Sequence, residues 1–143
     1  MKPNTDHLDS LLGHRLRQAF LTGQRIFFQT YPEREITPLV YGAMELIGTN
    51  PGISHNGICA HLGVAKLVLT TALKPVLSRR YISRGSDKRD ARITGYTLTS
   101  SGELWFSPIK ARIGQAEADL GSNLSDKERK QLMSLLKKVI ETT

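Results

Sequence analysis

Apolar residues recur along most of this chain at helical spacing, interrupted once by a short alternating stretch. From His7 they fall at Leu8, Leu11, Leu12, Leu16, Ala19, Phe20, Ile26 and Phe27. That spacing predicts a long amphipathic helix over residues 7–31, weakened locally by Gly13 and Gly23. After a turn at Pro32, Thr37 and Pro38 supply an N-cap and a first helical residue. Leu39, Val40, Ala43, Leu46 and Ile47 give this second helix a buried stripe, with Ile36 and Tyr41 placed as a hydrophobic staple. The run Gly48-Thr49-Asn50-Pro51-Gly52 ends it. Ser54 caps a third helix, whose Ile58 and Leu62 face inward, and Gly63 closes it with a tight turn. A fourth helix over about residues 65–78 carries Leu69, Ala72, Leu73 and Val76 on one face and Lys66, Leu67, Thr70, Thr71 and Lys74 on the other.

Residues 81–84 then read as a strand, 85–92 as a charged turn and 93–98 as the returning strand. Ser100 and Glu103 have capping-box spacing and open a fifth helix, with Leu104, Trp105, Ile109, Ile113, Ala116 and Leu120 expected inside. Pro108 predicts a kink or a late start there. Ser125 and Glu128 form a second capping box before a last helix with Leu132, Leu135, Leu136, Val139 and Ile140 on one face. Two short helices, a strand, a loop and a returning strand make a winged helix-turn-helix. The expected fold is therefore mainly α (α+β), a single domain over 1–143 with the winged part at 37–99. The helices at 7–31 and 100–142 leave more apolar stripe than such a small core covers, which predicts a dimerisation domain and a homodimer.

Charge sharpens this picture. The 143 residues carry a formal net charge of +7. Between positions 66 and 92, eight basic residues (Lys66, Lys74, Arg79, Arg80, Arg84, Lys88, Arg89, Arg92) face two acidic ones, Asp87 and Asp90, so this window carries +6. A localised basic patch on a balanced background is the footprint of a polyanion binder. The single cysteine, Cys59, excludes an intramolecular disulfide and reads as a small packing residue. With no signal-peptide layout and no membrane-length apolar run, the expected location is cytoplasmic, with no membrane partner. No nucleophile–base pair, phosphate loop or metal cage is visible, so no enzymatic activity, no cofactor and no metal are expected.

The segment 90–102 resembles the wing of the MarR family of bacterial regulators: Asp90-x-Arg92, five residues, Leu98-Thr99, two residues, Gly102. Residues 58–63, ICAHLG, and 76–82, VLSRRYI, resemble that family's motifs at the start of the reading head and at the exit of its recognition helix. The resemblance implies a dimer with recognition helices in successive major grooves of double-stranded DNA and wings in the flanking minor grooves. Arg92 becomes the wing-tip arginine and Asp90 the residue that holds it or the wing turn; arginine suits a narrow, electronegative groove. There are departures. Arg80 replaces a glycine, Pro75 lies inside the recognition helix, and Leu67 and Val68 stand where small polar residues are commoner. These two either meet thymine methyl groups or turn inward on a rotated helix.

The candidate DNA contacts are thus Ser54, His55 and Asn56 near a phosphate, Lys66, Leu67, Thr70, Thr71 and Lys74 on the recognition helix, and Arg84, Lys88, Arg89, Asp90 and Arg92 on the wing. Many MarR-like regulators take a small effector in a crevice beside the reading head. Its candidates here are His14, Arg17, Phe20, Tyr41, Met44 and Trp105, with Tyr41 and Trp105 to stack on a ring and His14 or Arg17 to pair with a carboxylate. The reading is a dimeric, sequence-specific DNA-binding transcriptional regulator, a repressor released by a small aromatic or anionic ligand. The alternatives are a non-specific nucleoid-type DNA binder and a winged-helix protein-interaction module.

Overall fold

Local chemistry sets the element boundaries in the computed structural model, which describes residues 1–86 and 94–142. The order is α1 (Asp6–Asp9), α2 (Leu12–Thr30), α3 (Pro38–Thr49), α4 (His55–Leu62), α5 (Lys66–Ser78), β1 (Ile82–Ser86), β2 (Thr94–Leu98), α6 (Ser100–Ala111), α7 (Ile113–Leu120) and α8 (Asp126–Ile140). Thr37 caps α3 by accepting from Val40 N, and Ser54 caps α4 by accepting from Gly57 N. Ser125 and Glu128 form the reciprocal box that opens α8. Gly63 ends α4 at φ +65°, a left-handed conformation that glycine adopts without a Cβ penalty.

Other boundaries depart from expectation. The first helix is broken in two, because Ser10 turns its hydroxyl onto the His7 carbonyl at 2.6 Å and competes with the helical ladder. The fifth is also two helices, α6 and α7, and the break falls at Arg112; α6 runs straight through Pro108. Its cap is Thr99 rather than Ser100, and the box with Glu103 does not form. The inward face of α6 is Gly102, Phe106 and Ile109, whereas Leu104 is 79% exposed. Leu120 of α7, also expected inside, is exposed as well. Pro75 does not end α5, which continues to Ser78.

The chain forms two compact units, Tyr31–Arg112 and Met1–Thr30 with Ile113–Thr143. In the first, α3, α4 and α5 enclose Met44, Ile47, Ile58, Leu69 and Leu73, all fully buried. The strands β1 and β2 pair antiparallel from Ile82↔Leu98 to Ser86↔Thr94. The boundary at Arg112 places α6 in this unit. The second unit is different in kind. Among its described residues only Phe27 and Ala116 are buried, and α8 buries none. Phe20, Leu120, Leu124, Leu132 and Met133 instead line an open apolar cavity of about 480 Å³ between α2, α7 and α8.

Candidate nucleic-acid interface

In the first unit the chain turns through 113° between α4 and α5, the geometry of a helix-turn-helix. Leu69, Leu73 and Val76 pin one face of α5 into the core. At 100° per residue, the ridge diametrically opposite is Leu67, Thr71, Lys74 and Ser78. All four are exposed. Leu67 and Val68 are 75% and 49% exposed, so neither turns inward. Ala65, at the N-cap of α5, offers no side-chain cap to the first-turn N–H groups.

His55 orients this helix from below. Its Nε2 lies 2.9 Å from the Lys66 carbonyl, which only accepts, so Nε2 carries the proton. Nδ1, 2.8 Å from the Tyr96 hydroxyl, then accepts from it. One imidazole therefore ties the start of α4 to β2 and to the first residue of α5. Thr70 donates its hydroxyl to the same Lys66 carbonyl at 2.9 Å. His55 and Thr70 were expected at the DNA; the structure engages both in holding the recognition helix, because their polar atoms have partners within the fold. Ser54 is exposed and accepts from Gly57 N in its capping role, and Asn56 is exposed beside it.

Behind His55, Tyr96 is almost fully buried, and burial raises its phenol above the ordinary value despite the opposing charge of Arg84. The Arg84 guanidinium lies 5.2 Å from the centre of the Tyr96 ring, and the side chain is exposed at the base of the wing. β2 is sewn to the loop before α4: Gly52 N donates to Tyr96 O at 2.8 Å, and Tyr96 N donates to Ile53 O at 2.9 Å. A side chain at Gly95 would meet that loop's backbone, with Ile53 O only 2.7 Å from a Cβ. Lys88, Arg89, Asp90 and Arg92, the remaining wing candidates, lie outside the described residues.

The exit of α5 is a second knot. Arg80 occupies the glycine-like position at φ +58°, the left-handed region that β-carbons disfavour. Thr99 holds it there: its hydroxyl donates to Arg80 O at 2.6 Å and accepts from Gly102 N at 3.0 Å. Ser101 adds a bond to the same carbonyl at 3.2 Å. Gly102 packs directly on the Tyr81 backbone, leaving no room for a Cβ. The Leu-Thr-x-x-Gly motif thus joins wing, recognition-helix exit and α6.

Of the six effector candidates, Tyr41, Met44 and Trp105 belong to the first unit and His14, Arg17 and Phe20 to the second. Met44 is a correction: it is fully buried on α3 with Ala43 and Ile47, and is a core residue. Tyr41 donates to Glu45 at 2.9 Å and packs beside Phe106 and Tyr31. Trp105 instead stacks flat on Tyr81, rings 4.5 Å apart. Its other edge meets a small cavity of about 230 Å³ lined by Glu33, Glu35, Ile36, Pro108 and Ile109. In the second unit, His14 sits 3.6 Å from Asp9, Arg17 is exposed, and Phe20 lines the apolar cavity.

The sequence pattern gave no sign of a cluster at the edge of the first unit. Tyr31 donates to Ile109 O at 2.7 Å, with the Arg112 guanidinium 4.7 Å over its ring. Arg112 also pairs with Glu33 at 2.7 Å. That hydrogen bond draws the Glu33 carboxyl below its ordinary range, and burial raises the Tyr31 phenol. The 78-residue separation of Tyr31 and Ile109 hid it; no local pattern marks such a pair.

The turned helix pair, the outward ridge of α5 and the two-stranded wing define a winged helix-turn-helix fold. No family model matches the chain. It is 27% identical over 129 residues to a putative transcriptional regulatory protein for the hcr operon of Thauera aromatica, covering 90% of this chain and 78% of that protein. Its fold is similar to that of BpsR from Bordetella bronchiseptica, whose DNA binding is regulated by 6-hydroxynicotinic acid. The TM-score is 0.86 at 20% identity, over 99% of this chain and 100% of that one. It is also similar to a MarR mutant from E. coli in complex with operator DNA, with a TM-score of 0.79 at 22% identity, over 96% and 99% of the two chains. No single helix among the described residues is long and apolar enough to cross a membrane.

Proposed function

We propose that this protein is a homodimeric, sequence-specific DNA-binding transcriptional regulator, a repressor that a small aromatic or anionic ligand releases. It acts by binding alone, with no catalysed reaction. The observation that carries the reading is the outward ridge of α5, which includes Lys74, has Lys66 beside it, and is held in place by His55 and Tyr96. These lysines supply phosphate attraction, and the ridge supplies contacts to base edges. The dimer is supported by α8, a 15-residue helix with no buried residue, and by the open apolar cavity beside it. An amphipathic helix in water needs a partner for that face, and a second copy supplies one. The operator complex of MarR and the regulation of BpsR by an aromatic acid support the DNA and ligand parts.

Fluorescence anisotropy with the intergenic duplex upstream of its own gene, and with a random duplex, across a salt series tests the reading. Tighter binding to the first, with affinity falling as salt rises, is expected. Equal binding to both would make it a non-specific nucleoid-type binder, and no binding at low salt would leave a protein-interaction module. Aromatic acids added to the complex should lower the anisotropy.

A further inference from the structure

Two neighbouring apolar side chains, Leu67 and Val68, are exposed in the first turn of α5, the helix whose opposite face is pinned into the core. Leu67 is 75% exposed and lies opposite the buried Leu69–Leu73–Val76 face, in line with Thr71 and Lys74. Of the two threonines beside it, Thr70 is engaged, its hydroxyl donating to Lys66 O, whereas Thr71 is exposed on the same ridge. Leu67 is in the first turn of α5, the part of a recognition helix that reaches deepest into a major groove. In that groove the only apolar feature of a base pair is the 5-methyl group of thymine.

We propose that Leu67 is a specificity-determining residue that reads one thymine methyl in each half-site of the operator, with Val68 widening the apolar contact. This rests on the DNA-binding reading above and adds what the helix selects. Such a site discriminates thymine from cytosine by shape and hydrophobicity rather than by hydrogen bonding. Lys66, next to Leu67, and Lys74, two turns along the ridge, hold the backbone without choosing a base.

The test begins with a duplex of about 30 base pairs selected from a random library by the wild-type protein. Each thymine in it is replaced in turn by deoxyuridine, which removes only the methyl group. One position per half-site should weaken wild-type binding about fourfold, and both together about fifteenfold. Leu67→Ala should bind the parent duplex more weakly and lose that sensitivity, whereas Leu67→Met should keep it. Because Leu67 is exposed, both variants should melt with the wild type. If no deoxyuridine position matters, or if Leu67→Ala keeps the same sensitivity, the Leu67 assignment is overturned while the regulator reading stands. If the wild type enriches no sequence at all, sequence-specific regulation fails, and the Leu67 role fails with it.

Discussion

Gly102→Ala sets two effects of known sign against each other. Helix propensity alone favours alanine inside a helix by about 1 kcal/mol. The tertiary structure opposes it. A Cβ at position 102 would lie 2.7 Å from the Tyr81 carbonyl carbon and 3.1 Å from its Cα, and still closer to the carbonyl oxygen. Both sides of this contact are backbone, so no rotamer relieves it. The start of α6 must retreat from the β1 entry by about 1.5 Å to reach an ordinary carbon–oxygen separation. That retreat strains three bonds: Thr99 N to Tyr81 O at 3.1 Å, the Thr99 hydroxyl to Arg80 O at 2.6 Å, and the Ser101 hydroxyl to Arg80 O at 3.2 Å. At about 1 kcal/mol each, their loss outweighs the propensity gain and leaves a net destabilisation of about 2 kcal/mol. For a chain of this size that lowers Tm by about 6 °C. Thermal and urea unfolding at matched protein concentration measures it, since the Tm of the proposed dimer depends on concentration. A variant as stable as the wild type, or more so, would refute the close-approach argument and leave propensity as the governing effect.

Tyr96→Phe removes the donor to His55 Nδ1 and should cost about 1–2 kcal/mol in urea unfolding with an unchanged m-value; an unshifted midpoint would show that the imidazole finds another partner. The carboxyls of Glu33, Glu35 and Glu128 are all held below 4.5 by hydrogen bonds: Glu33 to Arg112, Glu35 first to its own backbone and then to Arg79, and Glu128 to Ser125. Each folded value lies under the unfolded one, so their contribution to stability is complete above about pH 4.5 and is lost as pH falls through the folded values. Urea midpoints should decline below that pH, and Glu33→Gln should shallow the decline; an identical profile would assign the acid sensitivity elsewhere.

Several features are legible in the amino-acid sequence because they are local. Thr37, Ser54 and Ser125 cap the helices that their spacing marks, and Gly63 turns the chain where a left-handed residue is needed. The apolar faces of α3, α4 and α5 follow from a 3.6-residue period that any buried helix must show. The basic, outward character of Lys66 and Lys74 follows from the same count.

What the period does not encode is which way a helix is finally rotated and which polar atoms are consumed inside the fold. The rotation of α6 is set by Gly102 against Tyr81, a contact of two backbones 21 positions apart, so Phe106 is inside and Leu104 is not. His55 meets Tyr96 across 41 residues, and that bond decides that the imidazole positions α5. Met44 is enclosed by neighbours from other helices and lost its place among the effector candidates for that reason. Local spacing determined α3, α4, α5 and α8, the caps at Thr37, Ser54 and Ser125, and the exposed basic face of α5. Only the tertiary structure decided that Leu67 points outward, because the core contacts of Leu69, Leu73 and Val76 fix the helix about its axis.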